Sequence, residues 1–377
     1  MKKVLFVVSN IGEGGGAENS SRTLAKSLFD MGYDVDLLTF YDFDNEYDIW
    51  DLNRISFADK YSNNLLTKFY RFFVKYPKLL NKQIKSKNYD LVITNAEDAN
   101  LVGLNTKKYF SKNIKLITVV RNYLENHPVY KYIQGFHKNA DFVVGVSQYI
   151  TENMKKRFGL QNIQSIYNPF DIDFINKQKK EELSSEDKQL LGNKTNLITV
   201  GRLSEQKNYF FLIDSLETLL KEKENLQWLI LGDGPLKSQI IDYIKSKGLE
   251  DKIKLLGVKS NPLKYIYHSD VFVFGSTHEG FPRALTEAFI SGIKIVSVNC
   301  PSGPSELLAN EVYEPNLVEG YRIADYGVLV EMGNKQAFAD ATRYMFENNP
   351  TFDISKQVEN ITIEKISKQW DDLINKI

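Results

Sequence analysis

Residues 3–9 read KVLFVVS, residues 11–18 read IGEGGGAE and residues 21–28 read SRTLAKSL. A short apolar strand, a glycine-rich loop and a helix-forming stretch therefore follow one another. Loop glycines let backbone N–H groups come close to a ligand, and the dipole of the following helix favours a phosphate or sugar hydroxyls. A tight turn that needs glycine only for its own geometry explains the loop equally well, and the spacing differs from the G-x-G-x-x-G pattern of dinucleotide sites.

The same alternation of apolar runs and helical patterns continues along the chain and predicts two doubly wound α/β sheets. A charged segment at 177–194 separates the two series, and we interpret it as a solvated boundary. We expect two domains of similar size that face each other across a cleft. The further predicted strands are 34–40, 89–95, 114–120 and 142–147 before the boundary, and 196–201, 227–232, 253–257, 270–275, 294–298 and 327–330 after it.

The composition describes an ordinary folded protein. The 377 residues are 42 % hydrophobic and carry 48 basic and 48 acidic side chains, so no overall positive field would attract nucleic acid. The single cysteine, Cys300, excludes an intrachain disulfide, and the four histidines have no zinc spacing. The apolar run at 4–8 is too short for a signal peptide, and no run is long enough to span a membrane. We therefore expect a cytoplasmic protein that meets a membrane only at its surface.

Two cations follow the strand at 196–201, in the sequence VGRLSEQKN at 200–208. Arg202 and Lys207 are thereby predicted at the carboxyl edge of the second sheet, where open α/β sheets bind ligands. Two positive charges there could stabilise a diphosphate leaving group without a metal ion. Two surface cations beside Glu205 are the simpler alternative.

The segment GSTHEGFPRALTEAF at 275–289 carries the richest set of polar groups. Glu279 lies in the loop before a helix that Pro282 would begin, and Glu287 lies one to two turns inside that helix. One carboxylate could accept hydrogen bonds from a hexose hydroxyl and the other from a ribose diol. Backbone N–H groups at the helix start add donors for an anion. Two glutamates that merely answer the helix dipole are the alternative.

Two further turns follow predicted strands of the second domain. The sequence LGDGP at 231–235 can bring backbone close to a flat base, and PSGPSE at 301–306 opens a helix. Each turn is a weak signal by itself. Together with the three segments above, they place five ligand-capable turns at the carboxyl ends of strands.

The combination of GGGAE, GRLSEQKN, LGDGP and EGFPRALTE resembles glycosyltransferase family 4, and the resemblance runs from the first strand to the terminal helix. It implies the GT-B fold, with two Rossmann-like doubly wound domains: an acceptor domain at 1–170, on which a helix at about 360–377 packs back, and a nucleotide-sugar domain at 171–359. It also implies a retaining enzyme that moves a hexose or N-acetylhexosamine from a nucleotide diphosphate sugar, preferably a UDP-sugar, to a saccharide or lipid-linked acceptor. No metal ion or other cofactor is implied. The SGPSELL segment at 302–308 is similar to relatives that build surface polysaccharides.

The resemblance also implies a role for each matching residue. Arg202 and Lys207 would hold the donor diphosphate, and Glu279 would hold the transferred sugar near its reacting centre. Glu287 would bind the ribose hydroxyls. The implied donor-binding residues further include Gly15 and Gly16 for the phosphates and acceptor, Gly232, Asp233, Gly234 and Pro235 beside the base, and Gly280, Phe281, Pro282, Arg283, Ala284 and Leu285 around the helix start.

One position departs from the family pattern. Many relatives have a histidine just after the strand that is predicted here at 114–120, whereas this chain has Arg121 and Asn122. Either residue could contact the donor sugar or the acceptor. The nearest histidine is His127, and a histidine that precedes proline in a loop is more often structural or exposed than a sugar ligand.

Two enzyme alternatives stay open. Asp-x-Asp strings at 34–36, 42–44 and 171–173 would suit a metal-dependent transferase, although an aspartate-rich chain produces such strings by chance. A sugar-nucleotide epimerase of the same fold would consume the donor without an acceptor.

A non-catalytic alternative is a module that binds sugar nucleotides at a membrane surface. Residues 66–87 interleave seven cations with five aromatic residues and contain no acidic side chain. Such a stretch suits an anionic bilayer or a lipid diphosphate. A domain helix with its apolar stripe in the core explains it equally well, and Pro77 would break or bend any single helix.

Overall fold

Two compact units make up the chain: a first unit of Met1–Phe170 with Asn360–Ile377, and a second unit of Asp171–Glu359. The structure is a computed structural model that describes residues 1–12, 15–62, 64–122 and 134–377. Over these described residues, each unit contains one seven-stranded sheet, with helices between most successive strands.

The sheet of the first unit is parallel throughout, with strand order β3-β2-β1-β4-β5-β6-β7. Central strands are buried along almost their whole length, as the apolar runs require. The strands are β1 (Lys3–Val8), β2 (Asp34–Tyr41), β3 (Asn53–Asp59), β4 (Leu91–Asn95), β5 (Lys115–Val120), β6 (Phe142–Gly145) and β7 (Ile163–Ser165). The helices described up to residue 170 are α1 (Gly16–Asp30), α2 (Leu65–Tyr70), a π-helical turn (Arg71–Lys75), α3 (Tyr76–Lys87), α4 (Glu97–Tyr109), a 3-10 turn (Gly135–Asn139) and α5 (Gln148–Phe158).

The sheet of the second unit has the order β10-β9-β8-β11-β12-β14-β13, and only its edge pair β13–β14 is antiparallel. Its strands are β8 (Thr195–Val200), β9 (Leu226–Leu231), β10 (Ile253–Gly257), β11 (Val271–Phe274), β12 (Lys294–Val298), β13 (Tyr321–Ala324) and β14 (Gly327–Val330). Its helices are α6 (Ile172–Gln178), α7 (Ser185–Leu191), a 3-10 turn (Glu205–Lys207), α8 (Tyr209–Glu222), α9 (Lys237–Ser246), α10 (Leu263–Tyr267), α11 (Arg283–Ser291), α12 (Gly303–Leu308), α13 (Lys335–Glu347) and α14 (Ser355–Glu359).

The last helix, α15 (Ile363–Lys376), belongs to the first unit and packs against α1. Thr362 caps it by accepting a hydrogen bond from the Lys365 N–H, and Trp370 on its inner face is buried. Tyr33, just beyond α1, donates a 2.5 Å hydrogen bond to Asp371. The regularly spaced apolar residues of this helix therefore form the face that packs into the core.

The charged segment at 177–194 is mostly exposed, as the sequence suggested, but it is not the boundary between the two units. It contains α7, and Leu183 and Leu191 in it are buried. The Tyr265 hydroxyl donates a 2.7 Å hydrogen bond to Asp187 in the same segment. Because a few apolar side chains and this bond tie it down, the segment is part of the second unit.

A continuous helical stretch includes α2, the π-helical turn and α3, so Pro77 does not end it. The wider turn at Arg71–Lys75 lies just before the proline, where an α-helical hydrogen bond would be lost. The Asn105 side chain donates to the Phe72 carbonyl at 3.2 Å. Within the described ranges, no helix has the length and apolar character needed to cross a membrane.

Candidate active site

The carboxyl edge of the second sheet brings Lys207 and Glu279 together. The Lys207 Nζ atom lies 2.6 Å from Glu279 Oε1, and the two side chains are only 18 % and 9 % exposed. The Lys207 ammonium also lies 5.0 Å from the centre of the Phe274 ring. A paired lysine and glutamate in a largely water-excluded position make a fixed pair of opposite charges.

Backbone and amide hydrogen bonds hold the loops that carry this pair. The Gln206 side chain donates to the His278 carbonyl at 2.7 Å, and the Thr277 N–H donates to the Gln206 carbonyl at 2.9 Å. Burial lowers the pKa of His278, with Lys207 acting in the same direction and Glu279 opposing both. This histidine is therefore neutral near pH 7.

Arg202 lies in the same loop as Lys207 and is exposed. Its side chain forms no hydrogen bond or ion pair with any residue that the structure describes. An unengaged guanidinium at the end of β8 can meet a phosphate with its planar fork of donors.

The turn after β9 packs directly on the loop that contains Arg202. Gly232 has φ +140°, and a Cβ atom there would lie 2.0 Å from the Gly201 carbonyl oxygen, so only glycine fits. The Leu203 N–H donates to the Asp233 carbonyl at 2.9 Å. The exposed Asp233 carboxylate pairs with Lys237 at 2.8 Å, and Pro235 is exposed. Close packing of two loops thus accounts for Gly232 without a ligand, while Asp233 and Pro235 face solvent.

Glu287 forms a second ion pair, on α11. Its Oε1 atom lies 2.8 Å from Arg283 Nε, and both side chains are largely buried. Burial raises the pKa of Glu287, and the Arg283 charge opposes that rise. Pro282 is the N-cap of this helix, one position before the first turn in which the sequence placed it. Phe281 and Leu285 are buried in the core, whereas Ala284 is half-buried.

The loop before α11 is fixed by the loop after β12. Ser302 has an unusual backbone for a non-glycine residue, with φ 85°, and its hydroxyl donates a 2.5 Å hydrogen bond to the Gly280 carbonyl. The Gly303 N–H donates to the same carbonyl at 3.1 Å. A Cβ atom at Gly303 would lie 2.2 Å from Pro282 Cδ. Residues 280–282 and 302–304 therefore fix each other's positions, and Glu279 directly precedes the first of these two segments.

In the first unit, the glycine loop leads into α1 as expected. Gly15 is the N-cap of α1 and Gly16 its first residue, while residues 13–14 lie outside the described ranges. Arg121 follows β5 and is buried, with Nε donating to Asn95 Oδ1 at 2.5 Å and Nη1 donating to Asn168 Oδ1 at 2.9 Å. Asn122 follows it and accepts a 2.9 Å hydrogen bond from the Gln134 side chain at its carbonyl. His127 lies outside the described residues.

Sequence reasoning missed Asn95 and Glu97 at the end of β4. Ala96 between them has φ 73° and ψ 164°, a conformation rare for a residue with a side chain. Burial raises the pKa of Glu97 to about 7, although its own N–H, the Arg121 charge and the Asn122 N–H lower it. The available signal was NAED at 95–98, a polar run directly after a buried strand.

Aspartates in the three Asp-x-Asp strings make contacts with neighbouring parts of their own unit. Asp36 accepts hydrogen bonds from Lys87 at 2.6 Å and Asn53 at 2.7 Å, and Asp42 pairs with Arg54 at 2.5 Å. Asp171 caps α6. Over the described ranges, no group of three or more His, Cys, Asp or Glu side chains has the arrangement of a metal site.

Comparisons with known proteins match both units of the chain. A family model described as "Glycosyltransferase Family 4" matches residues 14–174, and one described as "Glycosyl transferases group 1" matches residues 180–363. The chain is 29 % identical to an uncharacterized glycosyltransferase of Methanocaldococcus jannaschii, over 92 % of this chain and 94 % of that relative. It is 27 % identical to N-acetylgalactosamine-N,N'-diacetylbacillosaminyl-diphospho-undecaprenol 4-alpha-N-acetylgalactosaminyltransferase of Campylobacter jejuni, over 93 % of this chain and 91 % of that relative.

The fold is similar to that of HepE of Anabaena, whose crystal structure contains UDP and glucose. The TM-score is 0.76 with 20 % sequence identity, and all of both chains is covered. The protein is therefore a glycosyltransferase with the GT-B fold. Residues 14–174 carry the glycosyltransferase family 4 domain and residues 180–363 the glycosyl transferases group 1 domain, in agreement with the resemblance that its sequence motifs indicated.

Proposed function

We propose that this glycosyltransferase is a retaining, metal-independent enzyme that moves a hexose or N-acetylhexosamine from a UDP-sugar to a saccharide or lipid-linked acceptor in surface glycan assembly. The observation that carries the proposal is the Lys207–Glu279 pair beside the unengaged Arg202 at one sheet edge. HepE, a structural neighbour, was crystallised with UDP, which supports the choice of base. The name of the Campylobacter relative contains a diphospho-undecaprenol saccharide, which supports a lipid-linked acceptor.

The two cations are assigned to the donor diphosphate. Breaking the sugar–phosphate bond moves negative charge onto the leaving oxygen, and fixed positive groups stabilise that charge best in a water-excluded position. Glu279 already fixes the position of Lys207, and the N–H groups of the Arg202 side chain have no partner among the described residues. A metal ion is then unnecessary for charge neutralisation.

The transfer step needs no separate strong base. The acceptor hydroxyl oxygen forms a bond to the anomeric carbon while the bond from that carbon to the β-phosphate oxygen breaks. The hydroxyl proton passes to the leaving phosphate oxygen on the same face of the sugar, so the configuration is retained. Glu279 holds the transferred sugar near this centre, and its pairing with Lys207 links sugar binding to diphosphate binding.

The remaining roles follow the motifs. Glu287 binds the ribose hydroxyls, and backbone N–H groups around the start of α11 face the phosphates. Residues 232–235 border the base, and residues 280–285 complete the donor site. In the first unit, Gly15 and Gly16 contact the phosphates and acceptor, and Arg121, Asn122 or His127 contacts a sugar.

Product analysis tests the proposal. Purified protein is incubated in EDTA with UDP-glucose, UDP-galactose, UDP-N-acetylglucosamine or UDP-N-acetylgalactosamine, with and without decyl glycosides of the same four sugars. We expect one donor to extend one glycoside. NMR of the product should show that the new glycosidic bond keeps the axial anomeric configuration of the donor. Conversion of the donor to another sugar nucleotide without acceptor would instead identify an epimerase. Transfer that EDTA abolishes and Mg²⁺ or Mn²⁺ restores would overturn metal independence.

Residues 66–87 supply a second part of the proposal, an anionic membrane surface as partner. The two halves of this stretch differ in burial. Tyr76, Leu80 and Ile84 of α3 are buried in the core, as a domain helix requires. The apolar side chains of α2 are instead exposed: Leu65 by 80 %, Leu66 by 80 %, Phe69 by 60 % and Tyr70 by 57 %.

The cations of the stretch are likewise divided. Arg71 and Lys75 pair with Asp59 at 3.0 and 2.5 Å, and Lys87 pairs with Asp36. Lys78, Lys82 and Lys85 are exposed and have no ion pair within the described part of the chain. Exposed apolar side chains on α2 and unpaired lysines on α3 are the two attractions that bind a helix to an anionic bilayer.

A further inference from the structure

The edge strand β13 of the second unit leaves part of its backbone unpaired. It runs antiparallel to β14, and the Glu331 N–H donates to the carbonyl of Gly320, the residue opposite, at 2.8 Å. Hydrogen-bonded pairs alternate along such a ladder, so Arg322 also faces β14, whereas the N–H and C=O groups of Tyr321 and Ile323 face away from it. Among the described residues, no partner takes these outward groups.

The side chains of the same two residues are apolar and exposed. Tyr321 is 38 % exposed and Ile323 is 48 % exposed, and they share one face because alternate residues of a strand point the same way. The centres of the Tyr321 and Tyr344 rings lie 6.4 Å apart, so this face borders α13. Unpaired backbone groups beside exposed apolar side chains form a template for one more strand.

Acidic residues surround this edge. Residues 309–331 contain five acidic side chains and a single arginine. Glu319 before β13 and Asp325 after it are exposed and form no ion pair within the described part of the chain. Arg322, in the middle of the strand, is neutralised by Glu311 at 2.8 Å. The edge therefore presents uncompensated negative charge at each of its ends.

The same charges disfavour a second copy of this chain as the added strand. If two β13 strands paired antiparallel through their outward groups, Tyr321 of one copy would lie opposite Ile323 of the other. Glu319 would then lie opposite Asp325, and each Arg322 opposite the other. Parallel pairing in register would place every charge opposite itself. Like charges directly opposite one another destabilise a sheet, so the strand suits a different chain better than its own copy.

We infer that β13 accepts an extended segment of a partner protein as an additional antiparallel strand, and that this segment carries a lysine or arginine at each end. Its apolar side chains pack beside Tyr321 and Ile323, and its cations lie opposite Glu319 and Asp325. None of these residues belongs to the sites proposed above, so the surface is independent of the transfer reaction.

A designed peptide tests this surface. Lys-Thr-Val-Thr-Val-Thr-Lys, with blocked ends and a fluorescent label, can place its valines opposite Tyr321 and Ile323 and its lysines opposite Glu319 and Asp325. We expect saturable binding to the purified protein by fluorescence anisotropy, weakened by salt because exposed charges are screened. N-methylation of both valines removes the N–H groups that face β13 and should weaken binding about tenfold. N-methylation of the two outer threonines, whose N–H groups face away, should change binding by less than about twofold.

Variants of the protein provide the matching test. A proline is tolerated on an edge strand where its missing N–H faces outward, so Ile323→Pro should keep the pairing with β14 and weaken peptide binding about tenfold. Ile323→Val is the control, because it keeps the N–H and should bind within about twofold of the wild type. The double variant Glu319→Gln, Asp325→Asn should bind several-fold more weakly and lose most of the salt dependence.

Several results would overturn the inference. Absence of binding to the folded wild type, or equal binding of the peptide with N-methylated valines, would reject the added strand. Equal binding of a peptide with glutamates in place of both lysines would reject a basic partner. Self-association of the wild type in analytical ultracentrifugation, abolished by Ile323→Pro, would identify a second copy as the occupant instead.

Discussion

At the scale of single residues, Glu287 is a largely buried carboxylate on α11, and we propose that it binds the ribose. Arg283 fixes one oxygen at 2.8 Å on a largely buried helix face. Glu287→Gln keeps the shape and removes the charge that accepts hydrogen bonds from a ribose diol, so we expect UDP to bind about tenfold more weakly. Calorimetry measures this affinity, with Glu222→Gln on an exposed part of α8 as the control. Unchanged affinity in a folded Glu287→Gln variant would contradict the ribose assignment.

Glu97 makes a separate prediction about pH. Burial raises its pKa from an ordinary 4.5 to about 7, against the lowering effect of Arg121, while Asp98 adds to the rise. The folded protein therefore binds this proton more tightly than the unfolded chain, and the stabilising contribution is complete below about pH 4.5 and lost as the pH rises through about 7.

Thermal unfolding of Glu97→Gln checks the sign. We expect the variant to lose less stability than the wild type between pH 5 and pH 8, because glutamine does not titrate. Asp51→Asn, at an exposed acidic position of the same unit, is the control. If Glu97→Gln and the wild type lost the same stability between pH 5 and pH 8, the raised pKa of Glu97 would be contradicted.

Sequence patterns identified most of the candidate residues but not their partners. Lys207 and Glu279 stand 72 positions apart, and each lies in its own motif, so only the fold brings them to 2.6 Å. The roles that the motifs imply for them remain predictions. Asn95 and Glu97 gave no comparable signal, because polar residues after a strand are common.

At the scale of elements, α15 returns to the first unit and contributes to its core. Trp370 on this helix is among the largest fully buried side chains of the described residues. Trp370→Ala should lower the free energy of unfolding by about 3–5 kcal/mol, the usual cost of removing a buried large aromatic side chain. Denaturant unfolding followed by circular dichroism measures it, with exposed Lys368→Ala as the control. A loss below about 1 kcal/mol would contradict the packing described for this helix.

Strand prediction from the sequence succeeded in the middle of each sheet and at one edge, β10, and failed at the other three edges. The predicted apolar runs correspond to the buried strands, because parallel strands covered on both faces need continuous apolar residues. β3, β7 and β13 were missed. β3 alternates polar and apolar residues at a sheet edge, β7 has three residues, and β13 is an exposed antiparallel edge strand. These three edge strands lack the signal because solvent covers part of them.

At the scale of the whole molecule, α2 and the unpaired lysines of α3 predict attachment to an anionic bilayer. Liposome sedimentation should recover the protein with anionic vesicles, and recovery should fall with added salt and for neutral vesicles. The double variant Leu65→Ser, Leu66→Ser should bind about 100-fold more weakly or worse, since each buried apolar side chain contributes about 1.5–3 kcal/mol. Val258→Ser, at an exposed apolar position of the second unit, is the control. Equal sedimentation of all three proteins, or none for the wild type, would reject the membrane surface.

We propose that fixed cations of the second unit, and no metal ion, stabilise the leaving diphosphate. The most direct measurement compares the sugar-transfer rates of the wild type and Lys207→Ala in EDTA, with Lys221→Ala on α8 as the charge-matched control. We expect full wild-type and control activity in EDTA and a rate about 10²–10³-fold lower for folded Lys207→Ala. Near-normal transfer by Lys207→Ala, or a wild type that is inactive until a divalent cation is added, would contradict it.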